Sequence, residues 1–172
     1  MDWLLTVPLL LIEIVLCCKL SEAETTEKSI KLGVASALMI IIGYPGELIL
    51  DANNMAFRWA FWVGAMIPFL YVVYELVVGL KEATEQEEDN EIKGMLYAAQ
   101  WATVISWMTY PIVYVLPAFG LTGANLVVGI QIGYCISDIV SKCGVGLLIY
   151  NITLAKSKKL MVGGAYKPMR QA

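Results

Sequence analysis

The chain has 172 residues, 59% of them hydrophobic and only 16% charged, with a formal net charge of −3 and no histidine. Soluble domains average roughly 25% charged residues, and here the charges are clustered, leaving long runs almost free of them. This excludes an ordinary soluble domain and predicts an all-α integral membrane protein, with the lipid bilayer as its surroundings and no nucleic-acid partner. Without histidine, any proton traffic has to run through carboxylates or another titrating group. The paired Cys17 and Cys18, and the separated Cys135 and Cys143, fit neither a disulfide framework nor a zinc site, so they are expected as packing residues and no metal is expected.

Apolar stretches of about 20 residues are long enough to span a bilayer. In chain order they fall at roughly 2–20, 30–50, 57–80, 93–117 and 124–154. SEAETTEKS, DANNM, KEATEQEEDNE and AFGLTG separate them. Links this short make neighbours antiparallel and predict an up-and-down helical bundle over 1–157, followed by a flexible basic tail over 158–172. No cleavable signal peptide is expected, because Asp2 follows Met1 directly and no basic region precedes the first apolar run.

Lys19, Lys28, Lys31, Lys81, Lys93, Lys156, Lys158, Lys159, Lys167 and Arg170 fall on one side of this topology, and Arg58 falls on the other. The positive-inside rule makes the basic side, and with it the C-terminus, cytoplasmic.

The first span, MDWLLTVPLLLIEIVLCCKL, holds two acids in an apolar run. Asp2 and Glu13 are 11 positions apart, almost three whole turns, so they share a face about 16 Å apart along the axis. Thr6 lies one turn from Asp2 on that face. Such an arrangement suits the entry and exit of a proton path; equally, Asp2 could sit in water and Glu13 against a neighbour. In the fourth span Trp107, Tyr110 and Tyr114 form an aromatic stripe of the kind that more often packs than binds ligand. Pro111 removes a backbone hydrogen bond there and bends the helix.

The last span holds Asp138 and Lys142 at i, i+4, one turn apart inside apolar sequence. Such charges are costly in a bilayer unless they pair or do chemistry. A lysine amine forms a Schiff base with an aldehyde, and a protonated imine needs a counterion that Asp2 or Asp138 could supply.

DWLLTVPLLLIE at the start, GYPGE at 43–47, WMTYP at 107–111 and SDIVSK at 137–142, in this order and spacing, resemble the microbial rhodopsins. The similarity is to the proteorhodopsin, xanthorhodopsin and actinorhodopsin group and runs from Met1 to about Ser157. It implies that Lys142 carries all-trans retinal as a protonated Schiff base. Asp2 would be the proton acceptor and counterion, Asp138 the second counterion, Thr6 the acceptor's partner and Glu13 the proton donor. Trp3, Trp107, Tyr110, Pro111 and Tyr134 would line the pocket, as would Met39, Gly43 and Trp62. Leu10 matches the position where leucine goes with green absorption. The implied function is a light-driven outward proton pump in a bacterial plasma membrane, homo-oligomeric at full length.

Family members have seven helices, and this chain resembles the third to seventh. The arginine expected one turn before Asp2 and the second-helix histidine would precede Met1, so a pocket of these spans alone is not expected to pump. Bulky Trp62 falls where carotenoid-binding members have a glycine, with Gly64 nearby, which argues against a carotenoid antenna. A signalling photoreceptor of the same fold is the alternative, disfavoured by Glu13. A secondary transporter would show an internal repeat, and none is visible. A Schiff-base enzyme would need a second acid–base cluster, also not evident. Glu47 and Glu75 are expected as interfacial or packing acids.

Overall fold

The computed structural model describes residues 2–49, 54–119 and 123–162, apart from the side chains of Asp2, Ala118, Asn125 and Val162. Its elements are α1 (Asp2–Cys17), α2 (Glu22–Glu47), α3 (Met55–Tyr74), α4 (Lys81–Glu85), α5 (Asn90–Trp107), α6 (Thr109–Val115), α7 (Ala124–Asp138) and α8 (Val145–Val162). Wide π-helical turns at Glu75–Gly79 and Ile139–Gly144 join α3 to α4 and α7 to α8. The result is an all-helical bundle of five rods, with no strand among the described residues.

Three rods are long and apolar enough to cross a membrane: Glu22–Glu47, Met55–Glu85 and Leu126–Met161. The first, Trp3–Cys17, is a shorter apolar helix. The α5–α6 rod breaks at Met108. Pro111 explains the break, because it offers no N–H to the carbonyl four residues back, at Trp107.

Two connections differ from the sequence expectation. SEAETTEKS is largely helical, because Ser21 and Glu24 form a reciprocal capping box: the Glu24 N–H donates to Ser21 Oγ at 3.3 Å, and the Ser21 N–H to the Glu24 carboxylate at 3.1 Å. The acidic 81–91 segment is likewise mostly helical. Asp89 Oδ1 caps α5 by accepting from the N–H groups of Glu91 (2.7 Å) and Ile92 (3.1 Å). At the other end α8 continues to Val162, past the expected boundary at 157, while 163–172 lie outside the described residues.

Chain neighbours pack side by side, and α8 returns against α1 and α5 to close the ring. The solid core lies toward the basic end, where Leu11, Val15, Leu32, Leu76, Leu80, Leu96 and Ile152 are completely buried. A smaller cluster of Val113, Ile130 and Tyr134 lies toward the Arg58 end. Between these layers the ring is hollow. Lys28 on α2 pairs with Glu75 at 2.9 Å, bracing the first π turn. Gly79 makes room for that pair, since a Cβ there would stand 2.2 Å from the Glu75 carboxylate.

Candidate functional site

Asp138 ends α7 and Lys142 sits in the π turn that follows, so the i, i+4 pair forms where the helix is locally widened. Single π turns of this kind recur at functional sites. Lys142 Nζ lies 3.4 Å from Asp138 Oδ1, and both side chains are about a quarter exposed. Two further spans hold the carboxylate. The Tyr110 hydroxyl donates to Oδ1 at 2.5 Å from α6, and Trp3 Nε1 donates to Oδ2 at 3.3 Å from α1. Asp138 is thus fixed by charge-assisted bonds from two helices beside its own lysine. Trp3, Tyr110 and Tyr134 pack around it, with Trp3 edge-on to Tyr134 at 5.2 Å and to Tyr110 at 5.3 Å. The Ser137 hydroxyl donates to the Ser106 carbonyl at 2.9 Å and ties α7 to α5 beside the break at Met108.

The aromatic group forms one wall of a cavity that is partly open to the surroundings. Of the residues expected to line a pocket, Trp3, Met39, Gly43, Trp62, Trp107, Tyr110, Pro111 and Tyr134 do so. Trp62 is fixed by donating from Nε1 to the Pro111 carbonyl at 3.1 Å, and Trp59 meets its ring edge-on. Thr6, Leu10 and Lys142 are not among the lining residues. Leu10 is buried in the core beside the cavity, and Thr6 is half-buried on the same helix. Glu13 is exposed, flanked on its face of α1 by exposed Leu9 and Leu16, and has no hydrogen bond or ion pair among the described residues. The side chain of Asp2 lies outside the described atoms.

Sequence reasoning missed Val7, Tyr44, Glu47, Phe69 and Tyr114 in the wall. The aromatic stripe did contain Tyr114, whose hydroxyl donates to the Gly43 carbonyl at 3.1 Å. Glu47 carries no such signal, since an acid at a helix end reads as interfacial. The combination of a lysine, a fixed carboxylate and an apolar cavity with an aromatic wall suits imine formation with an extended apolar aldehyde.

Residues 1–156 match the family model described as bacteriorhodopsin-like protein. The chain belongs to that family. It is 30% identical over 158 residues to green-light absorbing proteorhodopsin from Gamma-proteobacterium EBAC31A08, covering 91% of this chain and 60% of that protein. Archaerhodopsin-2 from Halobacterium sp. (strain aus-2) is 29% identical over 86% of this chain and 54% of its own length. Among solved structures, xanthorhodopsin, described as a light-driven ion pump with dual chromophore, superposes with a TM-score of 0.84 at 37% identity, covering 92% of this chain and 62% of that one. A thermophilic rhodopsin superposes at 0.82 with 40% identity over the same shares. The chain therefore spans little more than half the length of these relatives. The bundle is the microbial rhodopsin fold, and it is shared with the light-activated channelrhodopsin Chrimson at 21% identity and a TM-score of 0.77. Among the solved relatives, xanthorhodopsin is described as a light-driven ion pump, Coccomyxa subellipsoidea rhodopsin as a light-driven proton pump and Chrimson as a light-activated channelrhodopsin.

Proposed function

We propose that the chain supplies the third to seventh helices of a light-driven outward proton pump whose chromophore is all-trans retinal held on Lys142, and that these spans do not pump on their own. The observation that carries this reading is Asp138, fixed by Tyr110 and Trp3 at 3.4 Å from Lys142 beside an apolar cavity. The wall chemistry fits: long, flat apolar ligands suit walls of Trp3, Trp62, Trp107 and Tyr134. When bound, retinal supplies light absorption and a cationic centre at Lys142 Nζ whose proton affinity changes on illumination.

The rest is the work of this chain. Asp138 balances the charge at Nζ, and Tyr110 and Trp3 hold its carboxylate so that the balance does not wander. Asp2, paired with Thr6, accepts the proton on the Arg58 side. Glu13, beside Leu9 and Leu16, is the donor that reloads Nζ from the basic side, which we assign to the cytoplasm of a bacterial plasma membrane. Leu10 goes with green absorption. Trp62, bonded to Pro111, argues against a carotenoid antenna, while Gly64 stands nearby on the same helix. Homo-oligomerisation in the bilayer belongs to the same reading.

The test is to add retinal to the protein in vesicles. A visible band should form and be lost in Lys142→Ala. In cells given retinal and expressing these spans joined to the first two helices of a proteorhodopsin, light should acidify the medium, and Glu13→Gln should slow the return of the band after a flash. No band in the native protein overturns the chromophore site. A band without acidification in the joined protein overturns the pump reading while leaving the site standing.

A further inference from the structure

On the outer face of the bundle α2 and α3 leave an open apolar groove, which shares no lining residue with the cavity walled by Trp3, Tyr110 and Tyr134. Its register is pinned at two levels. Lys28 on α2 pairs with Glu75, just past α3, at the basic end, and Gly64 on α3 meets Ile42 on α2 at the deep end. Gly64 keeps the groove open there. A Cβ would stand 3.1 Å from Ile42 Cγ2, and any longer side chain would fill the furrow. Buried Ala35 continues the floor toward the basic end, while exposed Val34 and Leu38 form one rim and exposed Ile67 the other.

These dimensions suit one hydrocarbon chain. From Lys31 to Ile42 the groove follows 11 positions of α2, about 16 Å, which is half of a hydrocarbon core of roughly 30 Å. It therefore runs through a single leaflet, the one at the basic end. Its mouth is polar. Lys31 and Tyr71 line it from the two helices, and Glu27, one turn beyond Lys31, pairs with that lysine. Both charged side chains are more than half exposed, so the pair contributes little by itself and is free to exchange for other partners. The neighbouring cation, Lys28, is already committed to Glu75. The mouth thus offers one cation, one carboxylate and a phenol hydroxyl, with no net positive charge to hold an anionic lipid.

We infer that the α2–α3 groove binds one phospholipid with an ammonium–phosphate headgroup, phosphatidylethanolamine, from the leaflet at the basic end. One acyl chain lies over Ala35 and Gly64, the phosphate meets Lys31 and Tyr71, and the primary ammonium meets Glu27. Phosphatidylglycerol would bring its negative charge beside Glu27 with no ammonium to offset it, and phosphatidylcholine has no N–H to donate. The site needs neither retinal nor the pump reading.

The chain is stripped of lipid in detergent, offered equal amounts of these three phospholipids with identical acyl chains, and weighed by native mass spectrometry. One phosphatidylethanolamine per chain should be retained in preference to the other two. Gly64→Leu, which fills the floor, should lose it, with the melting temperature showing whether that variant folds. Glu27→Gln, at an exposed position, should lower the preference over phosphatidylglycerol by about twofold to fivefold, the worth of an exposed ion pair, and decides the point if Gly64→Leu does not fold. Equal retention of all three lipids by the native chain means annular lipid only and overturns the site. Undiminished retention in folded Gly64→Leu overturns the groove as its place, and an unchanged preference in Glu27→Gln overturns the headgroup assignment. Dimers in place of bound lipid, lost in Gly64→Leu, would make the groove a contact between copies and overturn the proposal as well.

Discussion

The two ends of the bundle are closed by opposite devices. At one end, buried Arg58 gives its donors to backbone: Nη1 to the carbonyls of Gly46 (3.1 Å), Glu47 (3.0 Å) and Ile49 (2.9 Å), Nε and Nη2 to that of Tyr114 (3.0 and 2.5 Å). Its guanidinium also lies 4.4 Å from the centre of the Tyr114 ring. The carbonyls of Gly46, Glu47 and Tyr114 lie in the last turns of α2 and α6, where N–H partners run short and the dipole is negative, and that of Ile49 follows just after α2. At the other end, Glu87 is held by mobile lysine ammonium groups. A permanent cation on peptide dipoles makes a fixed seal, while a carboxylate between two lysines makes one that can open.

The largest effect should come from breaking the fixed seal. Arg58→Met strips donors from several buried carbonyls at about 1–3 kcal/mol each, so a loss of roughly 3 kcal/mol or more is expected in thermal unfolding followed by circular dichroism. Arg58→Lys should recover only part, because a point charge cannot serve the ends of α2 and α6 as a planar fork does. Gly46→Ala attacks the same seal sterically: a Cβ there would stand 2.0 Å from the Tyr114 hydroxyl and 2.5 Å from Phe61 Cβ. The hydroxyl can swing away, but Phe61 Cβ moves only with its backbone, so about 1–3 kcal/mol should be lost. At the opposite end Thr84→Val removes the acceptor, 2.9 Å away, of buried Gln100 Nε2. Leaving that amide unpaired should cost about 1–2 kcal/mol in the same measurement.

The contrast between the ends also marks what the sequence could disclose. Long apolar runs announced the rods, and Pro111 announced the broken one, because both follow from bilayer thickness and a missing N–H. Lys142 and Asp138 stood out because charges are conspicuous in apolar sequence. Arg58 and Glu87 were present only as a stray charge and one acid in an acidic loop. Their meaning lies in tertiary placement: Arg58 meets carbonyls whose availability depends on where α2 and α6 end, and Glu87 is buried only because α1 and α8 flank it. The π turn around Lys142 was equally hidden, since no residue type specifies it. Capping at Ser21 and Glu24 was legible in principle, as the S-x-x-E pattern stands in the sequence, but the charges around it suggested a loop.

The smallest expected effect separates the ends by acid. Burial alone would raise the Glu87 carboxyl, but the positive charges of Lys156 and Lys19 beside it outweigh burial and hold it below its ordinary value of 4.5. The charged groups facing it are Lys156 from α8 and Lys19 from the end of α1, with the Lys159–Asp89 pair beside them. A carboxyl depressed by folding contributes stability that is complete above its unfolded value and lost as pH falls through its folded one. The difference in melting temperature between the native protein and Glu87→Gln should therefore be flat from pH 8 to about 5 and shrink only below the ordinary carboxylate range. The difference between the native protein and Arg58→Met should not change over the same range, because a guanidinium on carbonyls has no proton to gain. A Glu87 difference that stayed constant into strong acid would mean that packing rather than charge holds Glu87, and the two ends would then be closed by the same device.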